Sequence, residues 1–413
     1  MLLRSHGVGL FCLGFIQATS SGEPAWAGLA ALSLGSSHPQ AVAIREEIRQ
    51  LRAAGGDVMV SFGGASGTSL AVSAARAGRG AADLAGRYLQ VIDSLSLNRI
   101  DLDIEGSALG NRAANQLLAE ALRLVQQSRP DLEIWFTLPV LPLGLTGDGL
   151  AVVRQALNAG VKLDGVNVMA MDYGDSAAPP AARTMGDYAI EAAQNSQRQL
   201  VDLFAGFGVG FGWNQLGITP MIGVNDVRSE VFSSADAQQL EDFARLRGVG
   251  MLSMWSIARD NPGPIGALAN THSGTGAASG SYAAIWGDYG SDPLIAGGNV
   301  SGGGSSAGTL AGGSSGGSGT GSLEGSNGGG LPLSTLAVAA TTTSLIARAD
   351  NAERFQLGWA WGRRLTIEGF DPAQDGLDLR GFWAEGQQTR VVASAEGAIV
   401  RLDFNAQQVL LPG

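Results

Sequence analysis

Residues 100–105 read Ile-Asp-Leu-Asp-Ile-Glu. Three acids alternate with three large apolar residues, which is the period of a β-strand. Asp101, Asp103 and Glu105 therefore share one face, and Ile100, Leu102 and Ile104 share the other. Carboxylates on one strand face recur about every 7 Å and resist ionising together. A solvent-facing surface would mix charges of both signs, and this one holds acids only. Crowding lifts one pKa, and a carboxyl that stays protonated near neutral pH can act as a general acid. A calcium loop is the competing use of such a run. It needs oxygen ligands spread over about twelve residues, whereas the positions between these acids are apolar and Gly106 closes the run.

The elements that must hold this strand follow from the rest of the first 270 residues. Short apolar runs fall near residues 10–17, 57–63, 99–105, 133–140, 165–173, 219–225 and 250–256. Helical patterns lie between them, as at 40–54, 81–95, 112–127 and 234–246. Strands alternating with helices predict an α/β fold with a parallel sheet, a TIM-type (β/α)8 barrel of which seven strands are visible. In such barrels, sites sit at the C-terminal ends of the strands. The residues that could do chemistry lie there, at the ends of their runs.

Several segments carry a family resemblance. The acidic run resembles the DxDxE signature of family 18 glycoside hydrolases, the chitinases and their relatives. Ser61-Phe62-Gly63-Gly64 resembles that family's SxGG strand end. Val168-Met169-Ala170-Met171-Asp172-Tyr173-Gly174 resembles its Met-x-Tyr strand. Met221-Ile222-Gly223-Val224-Asn225-Asp226 and Gly250-Met251-Leu252-Ser253-Met254-Trp255-Ser256 resemble its last two strands. The resemblance spans roughly residues 8–270. Asn98-Arg99 stands where the family usually has Asp-Gly.

The resemblance implies substrate-assisted hydrolysis of β-1,4 bonds in chitin or N-acetylglucosamine oligosaccharides, with retention of configuration and without metal or organic cofactor. It makes Glu105 the general acid and later the base. Asp103 orients the 2-acetamido group, Asp101 shares a proton with Asp103, and Ser61 bonds to Asp101. Tyr173 donates to the acetamido oxygen, Met171 lines the same pocket, Asn225 contacts the sugar, and Trp255 forms the floor. Tyr173, Met171 and Trp255 also suit plain packing, and Ser61 a strand cap. Peptidoglycan fragments or N-glycan cores are alternative substrates. A chitin-binding lectin on the same barrel is the alternative of another class; lectin-like members typically lose the terminal glutamate, which this chain keeps.

Composition narrows the rest. A net charge of −11 and a pI near 4.8 argue against nucleic acid as a partner, and no apolar run reaches transmembrane length. Lone Cys12 excludes an internal disulfide, and His6, His38 and His272 lie far apart and away from every motif. A monomer acting outside the cell is expected. Residues 8–16 could pass for a short signal peptide, but Leu10 to Gln17 read better as a buried barrel strand that resembles the family's second. No first strand then remains upstream, so the barrel is expected to be truncated at its N-terminus, with loose edges.

Composition shifts after residue 270. Residues 271–330 read as a Gly/Ser-rich linker, with 301–330 mostly glycine and serine. Residues 331–413 read as a small all-β module, with Trp359, Trp361 and Trp383 available as a sugar-binding face or as core. The stretch 370–379 weakly resembles a turn of some bacterial secreted proteins, so an export or calcium-related module is an alternative.

Overall fold

Short, nearly continuous apolar runs inside the first 270 residues give strands whose outer faces must be covered by helices. A computed structural model describes residues 6–289 except residue 181, and beyond residue 333 the backbone of eight strands. The chain divides into two units, Met1–Gly304 and Ser305–Gly413.

In the first unit the strands are β1 (Leu10–Ala18), β2 (Pro24–Trp26), β3 (Asp57–Gly63), β4 (Arg99–Asp103), β5 (Glu133–Leu141), β6 (Gly144–Leu145), β7 (Gly165–Met169), β8 (Leu216–Thr219), β9 (Gly223–Val224), β10 (Val231–Phe232) and β11 (Met251–Leu252). Seven of these run parallel in the order β11-β8-β7-β5-β4-β3-β1. β2 and β6 fold back as hairpins on β1 and β5, and β9 pairs with β10. The α/β architecture and the seven parallel strands match the reading of the sequence. Among the described residues, β11 and the first part of β1 end the sheet.

Helices α1 (Pro39–Ala53), α2 (Leu70–Arg76), α3 (Ala81–Ser94), α4 (Gly106–Leu109), α5 (Arg112–Ser128), α6 (Gly147–Asn158), α7 (Met185–Ala205) and α8 (Ser234–Arg247) fill the crossovers. Val60, Phe62, Ile100, Leu102, Ile134, Phe136, Val166 and Val168 face them from the sheet and are all buried. Leu84, Tyr88, Val91 and Ile92 of α3 and Leu118, Leu122 and Val125 of α5 answer from the helix side. Phe62 meets Tyr88 edge-on at 4.9 Å. Each such side chain contributes about 1.5–3 kcal/mol by burial. No helix among the described residues is long and apolar enough to cross a membrane.

Three expectations need correction. The runs at 165–173, 219–225 and 250–256 are not strands throughout; in the last, β11 covers only Met251–Leu252. β7 stops at Met169, and β8 stops at Thr219, where Pro220 follows and has no N–H to continue a ladder. Gly223 (φ 78°) then turns the chain toward β10. The acidic strand likewise ends at Asp103, and Glu105 sits at the mouth of α4. The first unit also does not stop at residue 270. α9 (Ser281–Trp286) packs into its core through Tyr282 and Trp286, followed by Tyr289. The Tyr282 hydroxyl donates to Phe232 O (2.8 Å), Trp286 Nε1–H to Ala237 O (3.0 Å), and Asp260 accepts from Tyr282 and Ala283 N–H.

In the second unit every described element is a strand. β12 (Ser334–Val338), β14 (Glu353–Leu357) and β16 (Gly376–Asp378) form one parallel sheet. β13 (Ser344–Ile346), β15 (Arg364–Glu368), β19 (Gln407–Leu411), β18 (Gly397–Leu402) and β17 (Thr389–Ser394) form another, in that order. Trp359, Trp361, Trp383 and the 301–330 segment lie outside the described residues.

Candidate active site

The end of β3 fits against the acidic strand because it carries no side chain there. Gly63 has φ 119°, and a Cβ on it would sit 2.0 Å from Asp103 O. A Cβ on Gly64 would strike the Phe15 ring at 2.7 Å. The glycine pair therefore lets β1, β3 and β4 close up, which brings Ser61 opposite Asp101 in the register.

Asp101 and Asp103 are buried, and Glu105 is half-buried. Ser61 Oγ donates to Asp101 Oδ2 (2.6 Å), and Thr137 Oγ1 donates to Asp101 Oδ1 (2.7 Å). Burial pushes Asp101 up to about 6, against the lowering effect of these two donors. Asp103 is raised well above the usual carboxylate range, first by burial, then by the Asp101 and Glu105 charges. Its hydrogen bond to Glu105 requires a proton between the two carboxyls. Its Oδ1 has no partner among the described residues. Glu105 is raised by burial and by the Asp172 charge, while the bond from Asp103 lowers it. Three acids in a row thus hold fewer than three charges near neutral pH, which is what a proton-donating site requires.

The loop after β7 places Asp172 near Glu105. Asp172 adopts φ 52°, and its Oδ1 accepts from Val227 N–H (2.9 Å). Glu230, fully buried, returns the contact: its carboxylate accepts from Tyr173 N–H (3.1 Å) and Gly174 N–H (2.7 Å). Ser229 also bonds to Asp175. Two loops are therefore laced together by an exchange of carboxylates. Tyr173 packs edge-on to Tyr188 of α7 at 6.3 Å, and its buried hydroxyl has no partner among the described residues.

The other candidates are distributed as follows. Met171 is half-buried in the same loop as Asp172. Asn225 is fully buried, with its Nδ2 donating to Met221 O and Gly223 O and its Oδ1 unpartnered. Trp255 is 43% exposed, its backbone bridged to Met221 and its ring stacked on Phe15.

No protein-family model matches the chain. Its sequence is 34% identical to the catalytic domain of the hyperthermophilic chitinase from Pyrococcus furiosus, with a TM-score of 0.59 over 70% of this chain and 88% of that one. Catalytic-site mutants of active domain 2 of the Pyrococcus furiosus chitinase give 34% identity and a TM-score of 0.60 over the same shares. The chain belongs to glycoside hydrolase family 18. Among curated relatives, it is 38% identical over 272 residues to a probable bifunctional chitinase/lysozyme of Escherichia coli (strain K12), covering 63% of this chain and 29% of that protein. It is 37% identical over 279 residues to endochitinase 11 of Metarhizium anisopliae, covering 65% and 51%. The chain thus spans about half or less of the length of these curated relatives.

Three residues of this candidate site escape a reading by motif. Asp172 stood inside a quoted segment, and its signal was a lone acid closing an apolar run. Thr137 looks like an ordinary strand threonine until the register sets it beside the acids. Glu230 lies 57 residues from Tyr173, and nothing local marks it.

Proposed function

We propose that this chain hydrolyses β-1,4 bonds in chitin or chitin oligosaccharides by a substrate-assisted, retaining mechanism. The observation that carries the reading is where unmet hydrogen-bonding capacity falls. Among the described residues Asp103 Oδ1, Tyr173 OH and Asn225 Oδ1 are buried without partners, and so are Arg99 Nε, Ser196 Oγ and His272 Nδ1, which belong to no candidate sugar-binding residue; the reading rests on the first three. Buried polar groups are rarely left so. All three lie on residues picked out for a sugar carrying an acetamido group, which supplies an N–H donor, a carbonyl acceptor and hydroxyls.

Glu105 protonates the glycosidic oxygen, for which its raised pKa suits it. The substrate's acetamido carbonyl attacks the anomeric carbon, and the leaving sugar departs with the Glu105 proton. Asp103 Oδ1 takes the acetamido N–H and faces the positive charge on the ring that forms. Tyr173 donates to the acetamido oxygen while it is still a carbonyl. Water, deprotonated by Glu105, then opens the intermediate from the face the leaving group left, so configuration is retained. Trp255 supplies an apolar face for a sugar ring, Met171 lines the pocket, and Ser61 holds Asp101. Support from relatives is that those compared are chitinases and that the Pyrococcus domain has been complexed with chito-oligosaccharides. The chitinase/lysozyme relative favours peptidoglycan as a second substrate with the same chemistry. Action as a monomer outside the cell, on a TIM-type barrel of which seven parallel strands stand among the described residues, belongs to the same proposal.

The test compares oligomers of N-acetylglucosamine with their deacetylated counterparts, using wild type and Glu105→Gln. Cleavage should require the acetamido group on the sugar before the bond, and Glu105→Gln should bind oligomer but turn over at least about 10³-fold more slowly. Equal cleavage of the free amine, or near wild-type turnover by the variant, would overturn the mechanism.

A further inference from the structure

The inner face of the sheet carries one polar residue on each of six successive strands or strand ends: Ser61, Asp101, Thr137, Asn167, Thr219 and Ser253. They form one continuous hydrogen-bonded chain. Asn167 Nδ2 donates to Thr137 Oγ1 (3.0 Å), and Thr219 Oγ1 donates to Asn167 Oδ1 (2.9 Å). Thr219 and Ser253 share a short hydroxyl–hydroxyl bond. Thr137 in turn donates to Asp101 Oδ1, and Ser61 to Oδ2.

Proton counting fixes the direction. The single Thr219 proton is committed to Asn167, so Thr219 must accept from Ser253. The single Thr137 proton goes to Asp101, so Thr137 must accept from Asn167. Every donor therefore points toward Asp101, and each link polarises the next. Reversal is not a simple proton hop. An amide cannot exchange its ends by moving a proton, so Asn167 would have to rotate by half a turn while Thr219 and Ser253 turned with it. Asn167, Thr137, Asp101 and Ser61 are all buried, which leaves little room for this. Ser61 differs: its hydroxyl makes no second bond among the described residues and can reverse alone.

We propose that Asn167, Thr219 and Ser253 are positioning residues that lock Thr137 as a permanent donor to Asp101 Oδ1. Oδ2 is then the oxygen of Asp101 that takes and gives up the proton it shares with Asp103. The proposal rests on the hydrolytic reading of the acidic strand and extends it to three side chains that touch neither substrate nor general acid. A proton leaves Oδ2 for Asp103 and returns to it, and no other group changes its charge. The other titratable groups that face Asp101 are Asp103 on its own strand and Cys12 on β1. Cys12 is open to solvent on its strand, and its partly desolvated surroundings push its thiol upward, the same direction in which the Asp101 and Asp103 charges push it.

The experiment is a pH profile of kcat and kcat/KM on a soluble N-acetylglucosamine oligomer for wild type, Thr219→Val and Thr219→Ser, with thermal melts in parallel. Valine keeps the shape and removes the donor; serine keeps the donor and removes a methyl. Loss of the donor frees Asn167 and weakens the hold on ionised Asp101, so the acidic limb should move to higher pH. Thr219→Val should lower kcat about tenfold with KM changed less than about threefold. Thr219→Ser should restore both limb and kcat. A lower melting temperature for Thr219→Val with a wild-type pH profile would mean that the chain of bonds is scaffolding only and would overturn the proposal. Should Thr219→Val not fold, Ser253→Ala cuts the outer end, and the same two outcomes decide. An inactive wild type would instead count against the hydrolytic reading itself, which separates the two failures.

Discussion

Phe15 and Trp255 stack with ring centroids 5.9 Å apart and planes 27° from parallel. Phe15 belongs to β1 and Trp255 follows β11, the two parallel strands that end the sheet. The sheet is therefore curled far enough for its ends to meet at the C-terminal rim, through side chains and without a hydrogen-bonded ladder. An aromatic pair contributes about 0.5–1.5 kcal/mol beyond its buried area. Phe15→Ala should then raise KM for oligosaccharides by loosening Trp255, and Trp255→Ala should raise it further. The double variant should be less than additive. Strict additivity in KM would mean that the rings act separately.

Asp101 gives the fold a pH signature. Its carboxyl is raised from 3.8 to about 6 by burial, so the folded state binds its proton more tightly than the unfolded chain does. This term stabilises the protein fully below pH about 4 and is lost as pH rises through about 6, a difference of about 3 kcal/mol. Asp103 and Glu105 are raised too and act in the same direction. Urea unfolding between pH 4 and 7 should show wild-type stability falling more steeply than that of Asp101→Asn. Parallel curves would rule out the buried carboxyl as their source.

The Glu230 clamp should be measurable in two ways. Glu230→Ala strands the N–H groups of Tyr173 and Gly174, which costs about 1–3 kcal/mol in unfolding free energy. It also frees the turn that holds Asp172 beside Glu105. Because the Asp172 charge raises Glu105, relaxation should move the basic limb of kcat to lower pH. Ser229→Ala, which removes only the outer bond between the same loops, should leave that limb in place.

The division into two units predicts that the second is dispensable for small substrates. Removing residues 331–413 should leave activity on soluble oligomers within about twofold and lower it on insoluble chitin, as expected for a tethered module. Equal loss on both substrates would assign the module to the stability of the first unit. No loss on either would favour the export alternative.

Short-range pattern was enough for much of this protein. Period-two alternation identified the acidic strand, because the spacing of side chains along a strand is a property of the backbone alone, and short apolar runs between helical patterns identified the other six parallel strands. Gly63-Gly64 was legible as a strand end through its resemblance to the family's SxGG segment. The limits of β7 and β8 were blurred, because Met171–Gly174 and Met221–Asn225 continue an apolar pattern after the ladder has stopped. There Met171–Gly174 runs on outside any ladder, and Gly223–Val224 leaves the main sheet to pair with Val231–Phe232. Residues 281–289 read as part of the linker, since Tyr282 and Trp286 declare themselves as core only when α8 and β10 are in place to receive them.

What only the tertiary structure decided are relationships across strands. Thr137, Asn167, Thr219 and Ser253 are unremarked polar residues in four separate runs. Sheet order and register bring them into one chain of donors ending on Asp101. Glu230 meets the Tyr173 turn only because two loops cross at the same rim. A sequence states which side chains exist and which face of their own strand they share. Which neighbour each one meets depends on inter-strand register and curvature, and these are set by packing of the whole sheet against its helices.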